Sequence, residues 1–143
     1  MLKSPTECLH EGSAILHPIL RSYGFEFQLG PSGPSSGGPF ASGAYVFADR
    51  KLELHFRHSL GLVTYHYGDL SLDHSSYMRS VLGSSGGNHY PGFSLEHLAS
   101  FEDLRFDLEH FASAFLIGDK EEFSRCVNDA NEWKGKQGFS RLS

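Results

Sequence analysis

The stretch from Ser42 to Tyr67 constrains the fold more than any other part of the chain. Within it Leu52, Leu54 and Phe56 alternate with Lys51, Glu53, His55 and Arg57, a period of two that suits a strand and not a helix. Residues 42–48, 52–56 and 62–67 therefore read as three successive strands of an antiparallel meander. Asp49-Arg50 is predicted to close the first hairpin, setting Phe47 opposite Leu52 and Tyr45 opposite Leu54. His58-Ser59-Leu60-Gly61 supplies the second turn. Residues 25–29, Phe-Glu-Phe-Gln-Leu, alternate as well and offer a fourth strand, whose place in the sheet stays open. Residues 30–39 hold three prolines and four glycines in ten positions, which predicts a loop.

Helical signals lie on either side of this block. Ser4-Pro5-Thr6-Glu7 is a capping box with proline in the first turn. The stripe that follows, Leu9, Ile15, Leu16, Ile19 and Leu20, is interrupted by Gly12 and Pro18, so a kink or two short helices compete with one straight helix. Residues 73–82 form a short helix stopped by Gly83, with Asp73-His74 read as its cap. Residues 84–92 make a second glycine-rich loop, beyond which Ser94 can cap a helix carrying Leu98, Phe101, Leu104, Leu108, Phe111 and Phe115. Gly118 ends it, and Asp119-Lys120-Glu121-Glu122 opens another with the stripe Phe123, Cys126, Val127, Ala130 and Trp133. The last ten residues read as polar and frayed. The expected fold is one α+β domain over residues 1–143: a meander of three to four strands, with the N-terminal helix and the C-terminal helices packed on one face.

Strand periodicity then names a candidate site. Pairing Arg57 with Leu62 keeps Val63, Tyr65 and Tyr67 beside the apolar face of the neighbouring strand. It sets His55 beside Thr64 and Glu53 beside His66 on the other face. A bulge at Gly61 would slip the register by one and turn His66 inward, where it would need a buried partner; the first register is preferred. Glu53, His55, Arg57 and His66 then share one exposed sheet face. A carboxylate beside an imidazole can set its tautomer for acid–base work, and two His with one Glu match a zinc or iron ligand set. The same residues also suit a solvated charged face, or a surface that binds another protein.

Composition excludes several function classes. Twelve Lys and Arg against 17 Asp and Glu give a net charge of −5, which speaks against nucleic acid and anionic membranes. No apolar run approaches the ~18 residues of a membrane helix. The first residues lack the apolar core of a signal peptide, and Cys8 and Cys126 have no paired spacing, so a reducing, cytoplasmic setting is expected. Nine histidines are many, yet there is no His-Glu-x-x-His, no Gly-x-Ser-x-Gly elbow, and no glycine loop ending in Gly-Lys-Ser/Thr. The Phe-rich helices (Phe101, Phe106, Phe111, Phe115, Phe123) read as core.

Gly24-Phe25-Glu26-Phe27 after a first helix, the segment Leu52-Glu53-Leu54-His55-Phe56-Arg57, and Asp107-Leu108-Glu109-His110-Phe111 in an acidic helix give a layout that resembles small bacterial immunity-type proteins and uncharacterised families like them. That resemblance implies action by binding a partner protein, without catalysis, metal or cofactor. The expectation is thus a non-enzymatic binding protein, with a homodimer as an allowed assembly. The alternative is a small His-dependent or metal-dependent enzyme built on Glu53, His55, Arg57 and His66.

Overall fold

The computed structural model describes residues 4–34, 38–92, 96 and 98–142, with side chains for all of these except residue 84 and those beyond 132. Helix α1 (Pro5–Ser22) opens with the expected capping box: Ser4 Oγ accepts the Glu7 N–H at 3.2 Å. It runs unbroken through Gly12 and Pro18. The strands are β1 (Glu26–Gly33), β2 (Phe40–Phe47), β3 (Arg50–Phe56), β4 (Leu60–Tyr67) and β5 (Leu70–Asp73), paired antiparallel in chain order. Among the described residues there are five, not three to four. Strand β5 adds one edge of the meander through a turn at Gly68, whose φ of 61° is open to glycine. Strand β1 forms the other edge and continues to Gly33, into the stretch expected to be loop. A register shift between Leu29 and Ser32 and an edge position let the strand absorb Pro31.

Both hairpin registers differ from expectation by two residues. Tyr45 lies opposite Leu52 and Phe47 opposite Arg50, so the turn is Ala48-Asp49, with Ala48 at φ 52°. Lys51 lies opposite His66, and Glu53 opposite Thr64. A two-residue shift preserves every face, so Tyr45, Leu52, Leu54, Val63 and Tyr65 stay inward and buried. A bulge does form at Gly61-Leu62, where the pairing passes from Leu54–Val63 to Phe56–Leu60. Its effect is to turn Leu60 into the core rather than His66.

The helices pack on the apolar face. After β5 come α2 (His74–Leu82), capped by Asp73 and closed at Gly83, then α3 (Ala99–Phe111), the single turn α4 (Ser113–Leu116), and α5 (Lys120–Leu142). The expected Ser94 cap lies outside the described residues. The helix expected to run through Phe115 breaks at Ala112. The freed backbone groups beyond it are bound by side chains from elsewhere: Tyr77 Oη accepts the Phe115 N–H, and Arg50 Nη1 donates to the carbonyls of Phe115 and Leu116. Asp119 caps α5 by accepting the Glu122 N–H at 2.9 Å, and the helix carries on to Leu142 where fraying was expected. Phe123 and Ala130 are buried. The Trp133 side chain lies outside the described residues.

Gly12 explains why α1 tolerates a glycine. A Cβ there would stand 2.2 Å from the ring of Phe101, which is itself fully buried. Gly12→Ala is expected to destabilise the protein by about 1–3 kcal/mol through overpacking, although alanine gains about 1 kcal/mol of helix propensity. Denaturant unfolding of the two proteins measures the difference.

Candidate functional site

Glu53, His55 and His66 lie on strands, on the sheet face opposite the helices, and Arg57 stands just beyond the end of β3. The Glu53 carboxylate and His66 Nε2 meet at 3.0 Å, a diagonal contact between neighbouring strands, with side-chain exposures of 49% and 28%. The contact makes Nε2 the protonated nitrogen, because the carboxylate can only accept. His55 does not join that pair. Its ring stacks on Phe40 of β2, centroids 5.3 Å apart and planes 10° from parallel. Arg57, half-buried, follows directly after the last residue of β3. The face therefore carries an ion-pair element and an aromatic element side by side. Among the described residues, no three His, Cys, Asp or Glu side chains converge to hold a metal.

The more ordered polar cluster lies inside, and the sequence reading missed it. Tyr65 Oη and His74 Nδ1 are 2.7 Å apart, and His74 Nε2 is 2.8 Å from Asp107 Oδ2. All three side chains are almost wholly buried. Burial, then the neighbouring Tyr77 and Asp107, push the Tyr65 phenol well above its ordinary pKa, so it keeps its proton and donates it to Nδ1. Nε2–H then donates to Asp107. The backbone N–H groups of His89 and Tyr90 also donate to Asp107, at 2.6 and 2.8 Å. Tyr90 Oη in turn reaches the carbonyls of Leu60 and Gly61 at the β4 bulge.

This row of Tyr, His and Asp looks like a catalytic relay, but both imidazole nitrogens are committed and the hydroxyl is sealed in the core. A small cleft of about 120 Å³ touches His74 beside Tyr90 and Leu62, without exposing either ring nitrogen to a reacting group. The arrangement ties β4, α2 and α3 together. One signal was available: Asp107 sits between Leu104, Leu108 and Phe111 on the apolar stripe, and a carboxylate on a buried face demands a partner.

Other histidines divide between surface and seam. Phe106, expected in the core, is half-buried and sandwiched between the rings of His89 and His110, at centroid distances of 3.5 and 4.0 Å. His17 Nδ1 is 2.7 Å from Tyr45 Oη, which donates to the Ser13 carbonyl, so Nδ1 is the donor in that contact. Burial, then the charges of Arg21 and His10, hold His17 below its ordinary pKa of 6.5. The half-buried Cys126 thiol has its pKa pushed up mainly by burial, which lowers its share of thiolate. Comparison with known proteins finds no matching family model, no similar curated protein and no similar solved structure. The likeness to immunity-type proteins accordingly rests on the sequence pattern alone.

Three variants test this account. Asp107→Asn replaces an acceptor by an amide that must point a donor at one of three donors, and is expected to cost about 2–4 kcal/mol. Tyr65→Phe, which leaves Nδ1 without its donor, is expected to cost about 1–3 kcal/mol. Both are read from denaturant unfolding. For His17 the unfolded chain takes up a proton more readily than the folded one, so this residue's contribution to stability falls as pH drops through 6.5. Unfolding midpoints at pH 7.5 and 5.5 should diverge less in His17→Gln than in the parent.

Proposed function

We propose that the protein acts by binding another protein through the outer sheet face, without chemistry of its own, in the manner of an immunity-type inhibitor in the cytoplasm. One observation carries the reading. The face bearing Glu53, His55 and His66, with Arg57 at its end, is left uncovered by the described helices, yet the first three of these side chains are already held by the Glu53–His66 contact and the Phe40–His55 stack. Side chains ordered before binding lose less entropy when a partner arrives, and an aromatic with ionic neighbours is the composition of an interface core and rim.

The Glu53–His66 contact also favours a second reading, a small His-dependent enzyme with these four residues as its centre. The two diverge in experiment. Affinity capture from the native source is expected to return one stoichiometric partner with the parent and none with the folded His55→Ala, Arg57→Glu double variant. Absence of any partner for the parent, together with stoichiometric metal or an anomalous His66 titration, would overturn the binding reading in favour of the enzyme.

A further inference from the structure

The sheet has a second accessible feature, apart from its outer face. Strand β1 is the terminal strand on its side, and among the described residues no strand pairs with its far side. Beside its first residues lies a cleft of about 400 Å³, lined by Arg21 from the last turn of α1 and by Gly24, Phe25, Glu26 and Phe27. An edge strand of eight residues presents a row of N–H and C=O groups, and natural proteins usually blunt such edges with charge, proline or a bulge. Here the blunting is uneven. Pro31 and the register shift between Leu29 and Ser32 close the far half, where the proline has no N–H to offer. The near half, Glu26 to Leu29, is regular and paired in register with β2.

Apolar groups flank that regular half. Leu29 is 57% exposed and Tyr23, between Arg21 and the strand, is 39% exposed. Phe27 is half-buried over Gly43, where a Cβ would stand 2.6 Å from its ring, and it packs against His17 of α1. A strand laid along β1 would find backbone partners on one side, apolar anchors on the helix side, and a guanidinium at the end where α1 turns into the strand.

We infer that the near half of the β1 edge takes up an extended segment of the partner protein as a sixth strand, with an Asp or Glu side chain of that segment meeting Arg21. This rests on the protein-binding reading and adds to it a second contact and a partner chemistry. Main-chain pairing supplies affinity independent of sequence, while alternate side chains and the acid supply selectivity. Four residues, Glu26 to Leu29, set the length of the added pairing. Glu26 at the same cleft disfavours a second acid beside the first.

The test uses a library of peptides displayed as internal segments, with no free carboxyl terminus, panned against the full chain. The expected result is enrichment of apolar–polar alternation with one Asp or Glu. Amide hydrogen exchange with a selected peptide bound should slow at alternate residues from Glu26 to Leu29. Arg21→Glu should weaken that peptide by about tenfold, and exchanging the peptide's acid for Lys should recover the loss. Three results would overturn the inference. Selected peptides could slow exchange along Lys51 to Arg57 instead, which leaves the binding reading standing on the outer face alone. The β1 amides could become protected as protein concentration rises without peptide, with a doubled mass, which assigns the edge to a second copy. No peptide could be enriched while capture through the outer face succeeds, which removes the edge as a site. Failure of the capture itself bears on the binding reading and leaves the peptide result separately readable.

Discussion

The Asp107 carboxylate is the constraint on which the rest of the structure depends. It is fully buried, and a buried carboxylate without partners would cost several kcal/mol. Three N–H donors remove that cost, and they come from two places: the His74 ring on α2, and the adjacent His89 and Tyr90 main chain in the glycine-rich loop. Through His74 the carboxylate reaches Tyr65 in the sheet, and through the loop it sets Tyr90 against the β4 bulge. One side chain thereby fixes the relative positions of α3, α2, β4 and a loop that has little apolar surface of its own. Geometry of this kind selects one packing among the many that apolar contact alone would tolerate.

Arg50 performs the same task at the other end of the sheet. It donates to the last carbonyls of α4 and to Tyr67 Oη, and its guanidinium lies 4.6 Å from the centre of the Tyr67 ring. Tyr67 Oη reaches on to the Gly118 carbonyl. The C-terminal end of α4 is therefore satisfied by the first residue of β3. A helix that simply followed its apolar stripe would have no use for that arginine.

Much of the fold was legible because its information is periodic. The alternation from Lys51 to Arg57 assigns faces, and faces survive any register error of two residues; Glu53 and His66 thus meet even though they are not directly opposite. What escaped reading is information held in three dimensions. Ala48 at a positive φ is not a turn that alanine announces, so the hairpin closed one position earlier than Asp49-Arg50 suggested. Strand β5 has four residues, too few for alternation to stand out before the Asp73 cap. Gly12 reads as a helix interruption until the Phe101 ring is seen against it. His74 reads as a residue in a helix's first turn, because its neighbours in sequence say nothing of Tyr65 and Asp107.

The two polar systems of this protein differ in what their surroundings allow. In the core, the Tyr65–His74–Asp107 row has every nitrogen and oxygen engaged, so adding a ligand would first require breaking a bond that the fold needs. On the outer face, the Glu53–His66 contact and the Phe40–His55 stack order the side chains without sealing them, and a partner can approach at no cost to the core. The first system makes the second effective: a sheet clamped from behind by Asp107 and Arg50 presents its outer residues and its β1 edge in fixed relative positions. A partner that contacted both would bind more tightly than either contact alone, since the second would form at the high local concentration set by the first.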